Sequence, residues 1–135
     1  KTEPVVYDCE KLAIRILFDS SEDYPELMFR MIVFSKQRAP IGMMVSSKSI
    51  IAKKGRNQVD LSLDVEALAP GEYIGRVVLY EVNAYGGEAV HDIVDPGVVF
   101  RKELRDEIND TTITWKTHVW GNITLPAAEV IHEAD

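Results

Sequence analysis

A single cysteine, Cys9, stands among 135 residues. No internal disulfide is possible, which fits a reducing compartment, and the side chain itself reads as a small buried hydrophobe. No apolar run is long enough to span a bilayer, and the start of the chain shows no signal-peptide pattern. Positive charge is scarce: 15 Lys and Arg face 22 Asp and Glu, a formal net charge of -7. That balance speaks against nucleic acid or an anionic membrane surface as a partner. Phosphate-binding loops of the forms G-x-x-x-x-G-K-[ST] and G-x-G-x-x-G are missing, and no serine sits in a G-x-S-x-G elbow. His91, His118 and His132 lack zinc-site spacing, and His91 with Asp92 makes a poor ligand pair because adjacent strand residues face opposite ways. No metal and no cofactor is expected. A thiol nucleophile at Cys9 with His91 or His118 as base, or a glycosidase carboxylate pair, needs a juxtaposition that spacing does not supply. The many carboxylates read as solvated surface, and no enzyme is expected. Two N-x-T matches, at Asn109 and Asn122, matter only in a eukaryotic secretory setting.

What is present is a folding chain, 46% hydrophobic and 27% charged, of the size of one domain. It opens on Lys1 without an initiator Met and is taken as a piece of a longer protein. Its organising stretch is Leu68-Ala69-Pro70-Gly71-Glu72-Tyr73. Upstream, Val59, Leu61, Leu63 and Val65 alternate with Asp60, Ser62 and Asp64, the period of a strand with one buried and one wet face. Downstream, Tyr73, Val77 and Leu79 share one side of a second strand, while Ile74, Arg76, Val78 and Tyr80 share the other. A Pro-Gly turn followed two residues later by Tyr matches the tyrosine corner of immunoglobulin-like sandwiches, whose hydroxyl bonds back to the corner's own backbone.

The rest of the chain agrees. Strands are expected over 11–19, 26–35 (both sides partly apolar, hence central or covered), 41–46 (a candidate edge) and 98–104. Thr111 to Trp120, rich in β-branched and aromatic residues, reads as a further strand, and Ile123 to Leu125 as a last short one closed by Pro126. Turns are expected at 20–25, 36–40, 83–87 and Asp95-Pro96-Gly97. Residues 47–57, with Lys48, Lys53, Lys54 and Arg56, read as a mobile basic connection, and 105–110 as surface helix or polar loop; 89–94 is too short to assign, and the tail from Ala127 reads as short helix or disorder. Seven to nine short strands separated by turns predict an all-β, immunoglobulin-like antiparallel β-sandwich.

Parity then locates a face. With Phe29, Tyr73 and Phe100 pointing inward, Arg30, Arg76 and Arg101 share the outer side of one sheet, and Tyr80 joins them. Guanidinium groups pair bidentately with anions and bond hydroxyls, so this face is a candidate platform for a ligand bearing hydroxyls, with or without carboxylate or phosphate. His91 and Trp120 are candidates at its rim. Trp115 and Trp120 have opposite parity, and a solvent-facing Trp can stack on the apolar side of a sugar ring.

In motif order the chain resembles the C-terminal carbohydrate-binding domain of the ATPase subunit of bacterial O-antigen ABC exporters of the Wzt type, over roughly Lys11 to Pro126. The resemblance rests on Leu12 to Leu17 leading into Leu27 to Phe34, the Leu68 to Tyr73 corner, Asp92 to Phe100, and the closing Gly121-Asn122-Ile123-Thr124-Leu125-Pro126. It implies a non-catalytic carbohydrate-binding module that recognises the non-reducing end of an undecaprenyl-linked polysaccharide at the cytoplasmic face of the inner membrane. It further implies a nucleotide-binding domain upstream in the full-length chain, a transmembrane subunit as partner, and a homodimer that exchanges the strand Ile123 to Leu125. Ala127-Ala128-Glu129 replaces the usual aromatic after the closing Pro, and 103–110 is unusually charged. An adhesion or structural immunoglobulin-like domain that binds protein is the competing class, and a glycan-acting enzyme a third.

Overall fold

The computed structural model describes residues 4–7, 10–106, 109, 111–112 and 114–132; Cys9 and Ile113 lie outside the described residues. The strands are β1 (Val5–Val6), β2 (Leu12–Ser20), β3 (Tyr24–Ser35), β4 (Pro40–Val45), β5 (Ile50–Ala52), β6 (Gly55–Leu63), β7 (Gly71–Val82), β8 (Glu88–Lys102), β9 (Arg105–Asp106) and β10 (Thr111–Thr112), followed by one helical turn, α1 (Thr117–Trp120). The larger sheet runs β1-β8-β7-β3-β4, with β5 also paired to β3. Within it β1 and β8 are parallel and the other pairs antiparallel. Opposite lies the two-stranded β2-β6 sheet, in unbroken register from Leu12↔Leu63 to Ser20↔Gly55, and β9 pairs with β10.

Alternation decides which side of each strand is dry. Leu27, Phe29, Met31 and Val33 of β3, Tyr73, Val77 and Leu79 of β7 and Phe100 of β8 join Leu12 and Leu63 in one core, with Ile14, Ile16, Phe18 and Leu61 packed against it. The result is the expected all-β, immunoglobulin-like β-sandwich, with one parallel pair in an otherwise antiparallel frame. Within the larger sheet β8 presses against β7 at their register shift: a Cβ built on Gly97 would stand 2.7 Å from Val77 Cγ2, so no side chain fits there without displacement.

The corner behaves as read. Tyr73 is fully buried, its ring is stacked on Phe100 at 5.5 Å, and its hydroxyl donates to Ala69 O at 2.5 Å. Burial pushes the phenol's pKa up. Two further devices were not legible. Lys102 is buried, and its ammonium donates to the carbonyls of Val65, Glu66 and Leu68 at 2.9, 3.1 and 3.2 Å. The chain's late segment docks on the same loop, with Ala69 N–H donating to Asn122 O (2.8 Å) and Thr124 N–H to Ala67 O (2.7 Å).

Several expectations are corrected. Asp95-Pro96-Gly97 is not a turn: β8 runs through it, together with 89–94. The ladder shifts register between Gly75 and Val77, so Pro96 sits where no ladder donor is needed. The basic stretch 47–57 is not a free connection, because β5 pairs with β3, Ala52 enters the core and β6 begins at Gly55. Arg105–Asp106 is a short strand rather than helix or loop. Among the described residues of 111–120 only Thr111–Thr112 pairs as strand, while Thr117–Trp120 coils. Trp115 Nε1 donates to Gly121 O at 2.8 Å and Trp115 meets Trp120 edge-on at 5.1 Å. Those contacts override the β-propensity of the segment. Ile123 to Leu125 contributes one bridge, Leu68↔Ile123, rather than a ladder strand, and 127–132 has no regular structure.

Candidate functional site: an arginine-roofed sheet face

The outer side of the larger sheet carries Met28, Arg30, Ile32 and Phe34 from β3 beside Tyr80, Val78, Arg76 and Ile74 from β7, each directly opposite its partner. A sheet face left to water is expected to be polar. Here Phe34, Val78 and Tyr80 are nonetheless buried. Arginines cover them. The Arg30 guanidinium lies 4.3 Å from the centroid of Tyr80, and that of Arg76 lies 4.8 Å from the centroid of Phe34.

Carboxylates pin both arginines in place. Glu88, at the start of β8, receives a two-pronged ion pair from Arg30, with Nη1 donating to Oε1 at 3.1 Å and Nη2 to Oε2. Asp95 bridges Arg76 (Nε to Oδ2, 2.9 Å) and Arg38 (Nη1 to Oδ1, 2.6 Å). Arg30 holds the Glu88 carboxyl below its ordinary range, and Arg38 and then Arg76 do the same for Asp95. Three guanidiniums against two carboxylates leave one net positive charge. The face is therefore a planar, pre-oriented set of donors and acceptors rather than a free anion receptor. Exposed Met43, Val45, Val90 and Ile93 lie around it.

No protein-family model matches the chain, and no curated protein does. Among solved structures it superimposes on a crystal structure of the C-terminal domain of Wzt with a TM-score of 0.68, over 95% of this chain and 74% of that chain, at 12% sequence identity. The two share a fold. At that identity the likeness with Wzt concerns the path of the backbone and leaves the ligand to be argued from the side chains.

On this Wzt-like sandwich the six candidate residues separate into three places. Arg30, Arg76 and Tyr80 come together as the parity of Phe29 and Tyr73 requires. Arg101 shares their face but stands opposite Glu72, six residues along β7 from the partner of Arg30, about 20 Å at strand spacing; it pairs with Glu103. Trp120 lies on α1, next to the segment that docks on the corner, at the far end of the sheet from Tyr80. His91 turns to the other side of β8. Its Nε2 meets Glu81 Oε1 at 2.7 Å and its ring tilts against Tyr24 at 4.3 Å.

Glu88, Asp95 and Arg38, the groups that set the electrostatics of the face, were missed. Asp95 was hidden by the Asp-Pro-Gly turn signal, and partners 57 and 58 residues apart leave no local trace. A larger opening, about 660 Å³, is elsewhere, between the Ser46–Ile51 segment and β6, with Phe29, Met44 and Leu61 among its lining. It is an apolar-floored gap between strand edges with no cluster of charge-paired groups. No group of three or more metal-ligating side chains occurs among the described residues, and no helix among them is long and apolar enough to cross a membrane.

Proposed function

We propose that this domain is a non-catalytic carbohydrate-binding module for the non-reducing terminus of a lipid-linked polysaccharide awaiting export. The observation that carries it is the outer face itself, where Arg30 and Arg76 are laid flat over Tyr80 and Phe34 and locked by Glu88 and Asp95. Fixed guanidinium and carboxylate edges offer hydroxyl groups paired donors and acceptors without the entropic cost of ordering long side chains. Aromatic and apolar surface beside them suits the C–H side of a pyranose. The motif order of the sequence and the fold shared with the C-terminal domain of Wzt support the same reading.

Under this reading the domain works at the cytoplasmic face of the inner membrane, with a nucleotide-binding domain in the same chain and a transmembrane subunit as partners, and takes no cofactor and no nucleic acid. It forms a homodimer by exchange of Ile123 to Leu125, the segment that in the single chain bridges its own Leu68 and in the dimer takes the equivalent place on the other copy's corner. The exposed Leu125, Val130 and Ile131 around and beyond that segment favour such a contact.

Arg76→Ala is expected to weaken binding of a terminally capped polysaccharide by about tenfold, one charge-assisted hydrogen bond, in a calorimetric titration, with the domain still folded. Unchanged affinity overturns the platform. The exposed Met43, Val45, Val90 and Ile93 favour a second reading, a protein-binding sheet face; failure of capped and uncapped polysaccharide alike to bind leaves that one standing.

A further inference from the structure

The ladder between β7 and β8 shifts register beside Tyr80: Leu79 faces Asp92, Tyr80 faces Val90, and His91 is the extra residue between them. A bulge re-aims the side chain it inserts, and bulges gather next to binding sites. Here Val90 stays on the outer face with Tyr80, while His91 and Asp92, neighbours that an unbroken strand would point apart, line one pocket. That pocket opens at the rim between the two sheets and holds about 150 Å³. Its remaining walls are Phe18, Leu27, Leu79 and Tyr24, with Asp19, Ser20 and Ser21 at the mouth.

We infer that this rim pocket is a second saccharide site, taking one terminal pyranose ring whose substituents are hydroxyl or ammonium and not anionic. The inference rests on the carbohydrate reading above and adds a site to it. Size sets the first limit: the volume is about half the lower bound of some 300 Å³ for drug-sized ligand sites, room for one ring and not for a disaccharide. Hydrogen-bonding polarity sets the second. His91 Nε2 meets the Glu81 carboxylate, which leaves Nδ1 as the ring nitrogen for a ligand hydroxyl. The Ser20 hydroxyl donates to Glu22 O at 2.5 Å, leaving its oxygen to accept. With Asp92, and with Asp19 held only loosely by Arg56 at 3.8 Å, the mouth is rich in acceptors, which suits O–H and N–H donors and disfavours carboxylate or phosphate. Phe18, Leu27, Leu79 and the Tyr24 ring supply the apolar floor that the C–H side of a pyranose needs. The outer face, net positive, and the rim pocket, net negative, therefore select differently charged parts of a glycan from the two sides of one strand.

The test is a heteronuclear NMR titration of the domain with three methyl glycosides: a neutral hexopyranoside, a 2-amino-2-deoxyhexopyranoside and a hexuronide. The neutral and amino sugars are expected to move the Leu27 and Leu79 methyls and the His91 ring signals, and the uronide not to. Asp92→Asn, an exposed and isosteric change, is expected to weaken that response about tenfold while Arg30→Ala leaves it intact. Tyr24→Ala should abolish it, and Asp92→Asn keeps the test valid if that variant misfolds. Shifts confined to Tyr80 and Val78, indifferent to Asp92→Asn, overturn the pocket and leave the outer-face reading standing. Equal response to the uronide overturns the charge selection, and no shift at either place overturns both sites.

Discussion

Tyr73 and Tyr80 lie seven residues apart on β7, point to opposite faces, and are both almost removed from water, at 0% and 4% exposure. Different things bury them. Tyr73 is enclosed by the core and by backbone: Phe100 beneath the ring, Ala69 O on the hydroxyl, and the Lys102 ammonium and Asn122 completing the corner. Tyr80 is enclosed by a side chain, Arg30, which a single carboxylate holds down. A residue buried by the core can leave it only through unfolding. One buried by an ion-paired arginine is uncovered by moving that side chain, and a ligand that offers the guanidinium better partners can do so. The same strand thus carries a structural tyrosine at one end and an openable one at the other.

The sharpest way to break this comparison is at Lys102. Lys102→Met removes the donor shared by three carbonyls and strands them away from water; a loss of about 3 kcal/mol is expected in urea denaturation, with the glycan binding proposed for the outer face unaffected in whatever fraction folds. Next comes the pair of tyrosines. Tyr73→Phe leaves Ala69 O without its hydroxyl partner and should cost about 2 kcal/mol, whereas Tyr80→Phe should stay within about 0.5 kcal/mol. Equal losses for the two would erase the distinction.

The smallest effect is expected from acid. Glu88 is held below its ordinary 4.5 and Asp95 below its ordinary 3.8 by their guanidinium partners. Depressed folded values mean that these pairs contribute fully above those ordinary values, and that the contribution drains away as pH falls through the lowered ones. Lowering the pH through that window should move the ring resonances of Tyr80 and leave those of Tyr73 in place, and high salt should act in the same direction. Movement of both rings together would mean that the face opens only when the fold does.

The features legible from sequence were those carried by period and by local turn chemistry. The alternation in 59–65 and 73–80, the Pro-Gly corner and the inward Tyr73 followed from spacing alone, and the inward Phe29 and Tyr73 placed Arg30, Arg76 and Tyr80 on one face. What escaped depends on contacts made across long separations. The Arg30–Glu88 and Arg38–Asp95 pairs close only once β8 lies beside β7 and β3. Lys102 left no mark in the sequence because a buried ammonium is disclosed only by the carbonyls that turn toward it. Parity fails at a bulge by construction, which is why His91 left the outer face and joined Asp92 in a pocket. The helical turn at Thr117–Trp120 went unread because its organising contact is between two indoles.

The docking of Asn122 and Thr124 onto Ala67 and Ala69 bears on the order in which the molecule can be completed. During synthesis the corner leaves the ribosome about fifty residues ahead of the segment that finishes it. Lys102, which ties down the same loop, follows it by about thirty. Until then the nascent chain holds a half-made corner, with β2 and β6 free to pair but the larger sheet lacking β8. Final closure is accordingly a late event in translation, and a polypeptide released before Thr124 has every strand of the two main sheets and lacks the clasp.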